Sequence, residues 1–164
     1  MKRLDIDRIN SRAPYNVAYD EEGAIGFVSD FGMEYSVTFD DDFNTLYTAY
    51  WFNLSNMNHI ASPSDKKIAQ TVICIIEEFF RQNPDILLYF CSTADGKQAQ
   101  RARLFLRWFN GAEQQKHYII RTASVRGEQR TEYVALIAQR SNPNITEIIN
   151  FFDSEIAMFN DLKP

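Results

Sequence analysis

Apolar and polar positions alternate in short bursts through the first third of the chain. In residues 33–39, Met33, Tyr35, Val37 and Phe39 fall on one side and Glu34, Ser36 and Thr38 on the other. That is the period of a strand with one face on a core and one in water. Residues 15–19, 24–29 and 46–54 are likewise short and rich in Val, Ile, Tyr and Phe, and the turn-forming runs DEEG, DFG and DDDFN separate the four segments. Strands punctuated in this way predict an antiparallel meander.

The period then changes to that of a helix, over residues 63–82. Ser62 is placed to cap it with Pro63 at the first helical position, and Asn83-Pro84 ends it. At 100° per residue Ile68, Ala69, Val72, Ile73, Ile75, Ile76, Phe79 and Phe80 share one arc, with Lys67, Cys74, Glu78 and Arg81 opposite. Residues 86–91 (ILLYFC) form a continuous apolar run, the mark of a strand buried on both faces. A second helix is expected over 97–109, a hairpin of strands 117–125 and 131–140 around Gly127, and a last helix over 145–159, announced by SNPN and the Asn144/Glu147 capping pair. In that last helix Ile145, Ile148, Ile149, Phe152, Ile156 and Phe159 point to the core. Phe151, Met158 and Leu162 form a lateral stripe, read as either a wider core contact or a homodimer surface. The fold class expected is α+β: a mixed, mainly antiparallel sheet of about seven strands with three main helices.

Length and composition fit one domain. A chain of 164 residues buries roughly 70% of its unfolded surface, and no linker, repeat or low-complexity segment divides it. MKRLDIDRIN contains acids and no apolar run, and no stretch reaches the length of a membrane span, so the expected location is the cytoplasm without membrane association. The two cysteines, Cys74 and Cys91, have no metal-ligand spacing and are read as free thiols.

Charge is distributed unevenly. Residues 1–60 hold ten acids and four bases, whereas residues 97–140 hold nine bases (Lys97, Arg101, Arg103, Arg107, Lys116, Arg121, Arg126, Arg130, Arg140) and three acids. The region 97–140 could therefore attract an anionic ligand or an acidic protein partner. Ser92–Arg101 runs from a strand end through small residues to a helix start, with Lys97 and Arg101 one turn apart. Leu104 and Trp108 lie on the same side as those bases, opposite the core arc of that helix, so Trp108 and Arg101 could stack on a ligand.

Catalytic patterns fare worse. Pro84-Asp85 and Asp95-Gly96-Lys97 match a metal-dependent nuclease spacing, but the intervening strand sets the aspartates roughly 20 Å apart. Asp40, Asp41 and Asp42 read as a solvated turn rather than a cation site. His59 and His117, the only histidines, belong to no constellation, and Cys91 has no evident base. No metal is expected, and the acidic first third disfavours nucleic acid.

Two resemblances follow from particular segments. YSVTF, TVICIIEEFF, NPDILLYFC and DGKQAQRARLFLRWF, spanning residues 35–109, with SNPN further on, resemble a family of small bacterial proteins known only as a domain of unknown function. The order of elements, three antiparallel strands, helix, strand, helix and two strands, is similar to the core of the GNAT acetyltransferase superfamily. That resemblance implies acyl-CoA between the 46–54 and 86–91 strands, with its pyrophosphate on amides that start the intervening helix. The stretch matching the superfamily's R/Q-x-x-G-x-G/A motif is Ser64 to Ala69, where only Ala69 conforms and Lys67 replaces the first glycine. Two functions are therefore expected in competition. The first is a non-catalytic domain, without a cofactor, that binds an anionic ligand or partner protein through Lys97, Arg101 and Trp108. The second is a divergent acyl-CoA-dependent N-acyltransferase in which Lys67 and Ala69 would meet the cofactor.

Overall fold

A computed structural model describes residues 1–42, 47–58, 60, 63, 65–91, 107–109, 111–127 and 131–161. Its elements are α1 (Ile6–Asn10), β1 (Ala18–Tyr19), β2 (Ile25–Val28), β3 (Glu34–Asp42), β4 (Ala49–Asn56), α2 (Lys66–Gln82), β5 (Ile86–Cys91), α3 (Ala112–His117), β6 (Tyr118–Arg126), β7 (Thr131–Gln139) and α4 (Ile145–Asp161). The strands form one mixed, mostly antiparallel sheet in the order β1-β2-β3-β4-β5-β7-β6. The class is α+β, as the patterning predicts. Chain contacts divide into two compact units, residues 1–40 with 52–84 and residues 41–51 with 85–164.

In the first unit the meander turns where glycine permits it. Gly23 and Gly32 hold positive φ angles of 88° and 75°, a region closed to most side chains. The Asp20 carboxylate accepts from the Glu22 and Ala24 amides at 2.9 Å, and Ser29 Oγ from those of Phe31 and Met33 at 3.3 Å. Ile25 then faces Val37, and Phe27 faces Tyr35. The Phe27 ring lies between those of Tyr15 and Tyr35, stacked at 6.0 and 5.3 Å. β1 keeps only two of the five expected residues. Its approach is bonded to side chains instead: the Tyr15 amide donates to Thr71 Oγ1 and the Val17 amide to Asn10 Oδ1. β3 runs three residues beyond the expected end, and Asp40 there accepts from Asn53 Nδ2 at 2.8 Å.

α2 buries Ile68, Ala69, Val72, Ile75, Ile76, Phe79 and Phe80, the arc expected from its periodicity, except that Ile73 is half-buried. Its start differs from expectation. Asp65, in extended backbone, is the cap and accepts from the Lys67 amide at 2.9 Å; Pro63 stands outside the helix and Ser62 outside the described residues. At the other end the Asn83 amide and side chain both donate to the Phe79 carbonyl. Glu78 departs from its expected place on the outer face and is 5% exposed. A helical wheel assumes one packing partner, whereas α1 lies along α2 as a second. α1 itself is a single turn capped by Asp5, anchored by buried Ile9. Five residues are too few to show a period.

The second unit is organised around β7. Val134, Ala135, Leu136, Ile137 and Ala138 are all buried, and β7 pairs antiparallel with β5 on one side and β6 on the other. On one face α4 sets Ile148 and Phe152 against Leu88, Val134, Leu136 and Ala138, with Ile145 and Ile156 at the margin. Phe159, expected inward, is 43% exposed. A 17-residue helix runs about 25 Å, past the roughly 16 Å of five buried strand residues. On the other face Phe109 is buried, its ring edge-on to Tyr118 at 6.1 Å. Of the helix expected at 97–109, residues 107–109 are described and helical. α3 was not expected, because AEQQKH has no apolar period. No helix among the described residues is long and apolar enough to cross a membrane.

The stacking of Phe79 on Phe39 at 5.2 Å and edge-on to Phe80 gives a first test. Phe79→Ala should cost about 3–5 kcal/mol of stability in denaturant titration, whereas truncating exposed Met158 should cost less than about 0.5 kcal/mol.

Candidate functional site

The bases of residues 97–140 that the structure describes collect around β6 and α3. Arg107, Lys116, Arg121, Arg126 and Arg140 are all exposed. Three of them are engaged. Arg121 makes a two-pronged pair with Asp153 of α4, Nε at 3.0 Å and Nη2 at 2.7 Å, which fixes its guanidinium plane. Lys116 pairs with Glu113 one turn back at 3.1 Å, and Arg140 Nε donates to the Gln115 carbonyl at 2.5 Å. Only the first two contacts neutralise charge. Arg107 and Arg126 enter no ion pair among the described residues, and the Arg140 charge is met by a neutral carbonyl. His117 is exposed beside them, its ring 6.3 Å from Tyr118.

Of the residues singled out in the sequence for this region, Trp108 is helical and half-buried. Lys97 and Arg101 lie outside the described residues, as do Asp95, Leu104 and His59. In the lateral stripe of α4, Phe151 is half-buried and edge-on to Tyr47 at 6.5 Å, Met158 is 54% exposed, and Leu162 lies outside the described residues.

The start of α2 carries the other pair of named residues. Ala69 is buried. The Lys67 ammonium donates to Asp30 at 2.8 Å and stands 5.7 Å from the Tyr15 ring centre. The Tyr15 hydroxyl donates to Asp65 and accepts from the Asp30 amide. Asp65 therefore ties the amide of Lys67, the second helical residue, to a buried phenol. An incoming phosphate would have to displace that carboxylate from the Lys67 N–H.

A third polar cluster lines a groove of about 140 Å³ between α1 and α2. Arg8 and Arg81 converge on Glu78, at 3.5 and 2.7 Å, and Arg12 pairs with Glu77. Burial pushes the Glu78 carboxyl up, but Arg81, with help from Gln82 and the Asp5 backbone, outweighs it and holds the group below its ordinary range. Burial pushes the half-buried Cys74 thiol up, despite Arg12 nearby. Arg12 is matched by Glu77 while Arg8 and Arg81 share Glu78, so three cations meet two carboxylates and both carboxylates of the groove are already paired. Among the described residues no three of His, Cys, Asp and Glu come close enough to hold a metal.

Sequence reasoning missed one residue altogether. Asn160, near the end of α4, accepts from the Arg126 amide at 2.9 Å and donates to the Ser124 carbonyl at 3.1 Å. Nothing in the sequence marks it, since an asparagine late in a helix reads as a solvated end.

A family model described as a family of unknown function, DUF6169, matches residues 64–154. The match covers more than half of the 164 residues, and the chain belongs to that family. No curated protein and no solved structure matches it.

The Glu78 cluster generates a pH-dependent prediction. A carboxyl held below its ordinary range in the folded chain contributes stability above that range, and the contribution is lost as pH falls through its folded value. Glu78→Gln should therefore lower stability at neutral pH by about 1–3 kcal/mol. Chemical denaturation as a function of pH should show the two stability curves converging below the ordinary carboxylate range.

Proposed function

We propose that the protein is a non-catalytic binding domain that uses the basic region 97–140 to hold an acidic partner protein. The observation that carries this reading is the state of charge around β6: Arg107, Arg126 and Arg140 are exposed and enter no ion pair among the described residues. Uncompensated guanidinium groups are costly to desolvate alone but pair readily with carboxylates across an interface, where they steer encounter and set specificity. Half-buried Trp108 next to Arg107 supplies apolar area of the kind interfaces favour. Sequence adds Lys97, Arg101, Arg103 and Arg130 to the same basic stretch.

The alternative, acyl-CoA-dependent N-acyl transfer with Lys67 and Ala69 at the cofactor, draws on the order of elements. Fold order is a weak warrant for chemistry, and the Asp65 carboxylate on the Lys67 amide works against a pyrophosphate at that place.

Polyglutamate is a suitable probe of the first reading. It should bind the full chain saturably at low salt and lose affinity as salt rises, and Arg107→Glu with Arg126→Glu should weaken it by roughly tenfold. Equal affinity of the wild type and the double variant would overturn the reading. A thermal shift on adding acetyl-CoA, with none on adding polyglutamate, would favour the alternative.

A further inference from the structure

The phase of the β6–β7 ladder decides where each β6 residue points its backbone. The His117 carbonyl accepts from the Arg140 amide at 2.8 Å, just outside the Tyr118–Gln139 pair. In an antiparallel ladder such a bond flanks a pair that exchanges no bonds of its own. Alternation from there gives Ile119, Arg121, Ala123 and Val125 to β7. Tyr118, Ile120, Thr122, Ser124 and Arg126 turn their N–H and C=O groups outward.

Two separate contacts agree with this phase. The Tyr118 amide donates outward to the Gln114 carbonyl of α3, and Asn160 takes the Arg126 amide and the Ser124 carbonyl. A carboxamide has one acceptor and two donors on one plane, so Asn160 stands where the peptide of a neighbouring strand would stand. Both ends of the edge are thus stoppered.

Between the stoppers the edge is open. Ile120 and Thr122 offer two N–H and two C=O groups that meet no partner among the described residues, and Thr122 is exposed. β6 is the last strand of the sheet order, and its nine residues contain no proline. Such an edge is a template for another strand.

We propose that this window of β6 receives one extended, acidic segment of a partner protein as an added antiparallel strand, an inference that rests on the binding-domain reading above. Charge selects the occupant. Arg126 and Arg140, exposed near the two ends of β6, favour carboxylates on the incoming strand, and Arg107 extends the basic surroundings. A second copy of this chain fits poorly. The two-fold pairing that joins Ile120 to Thr122 of another copy sets Arg121 opposite Arg121 and brings Tyr118 against Ser124, whose carbonyl Asn160 already holds. The stoppers restrict the added strand to about five residues, or roughly 17 Å.

An end-capped heptapeptide of alternating Val and Glu, fluorescently labelled and titrated with the full chain at low salt, tests the proposal. Saturable binding is expected, and N-methylation of alternate peptide amides should be asymmetric. One parity should weaken binding by about tenfold or more, since a methyl both removes a donor and blocks approach, and the other should change it little. Thr122→Pro should weaken binding similarly without breaking the ladder, because its N–H points away from β7. Equal tolerance of both N-methylation patterns would overturn the added strand and leave the basic-region reading standing. The same holds if polyglutamate binds and the heptapeptide does not. Failure of both probes would overturn both readings. The N-methylation arm uses the unmodified chain and does not depend on how the proline variant folds.

Discussion

Burial of β7 on both faces is the constraint from which the second unit follows. Five consecutive apolar residues, Val134 to Ala138, leave no side for water, so the strand is stable only inside a sheet with both backbone edges paired. β5 and β6 meet that requirement. Once they are in place, α4 must cover one face, and Ile148 and Phe152 do so. The same pairing consumes every second backbone group of β6 and turns the remainder outward. A packing requirement in the core therefore sets the chemistry of the edge.

The first unit solves a different problem, that of a helix with more than one neighbour. α2 buries an apolar arc, but α1 covers a flank that carries Glu78. A carboxylate removed from water is tolerated only when it is paired, and Arg81 and Arg8 meet it there. At the N-terminal end Asp65 is shared between the Lys67 amide and the Tyr15 hydroxyl. These polar contacts join α2 to α1 and to the Tyr15 segment, and they are absorbed by the fold itself. The bases around β6 differ in that Arg107, Arg126 and Arg140 enter no ion pair among the described residues.

Much of this architecture was legible in the residues. Tyr35 and Val37 alternate as a half-buried strand should, α2 has the arc its period predicts, and ILLYFC is a strand, although the burial on both faces expected of it holds for Ile86, Leu87 and Leu88 and fails at exposed Phe90. Local competition was less legible. Asp65 is the cap and lies immediately before the helical backbone, and a wheel placed Glu78 in water because it could not include α1. The end of α4 eluded pattern reading for a similar reason: Phe159 passes beyond the core, while polar Asn160 meets backbone groups 34 to 36 residues away in sequence. The basic composition around β6 was visible from the start. The open edge was not, since the phase of a ladder is invisible in side-chain identity.

That phase is the central claim, because the role of Asn160 and the binding window both depend on it. Residue-resolved amide hydrogen exchange on the full chain tests it directly. The account predicts strong protection of Ile119, Arg121, Ala123 and Val125, which donate to β7, and exchange at least about tenfold faster for Ile120 and Thr122. Protection of Ile120 and Thr122 equal to or greater than that of their neighbours would contradict it.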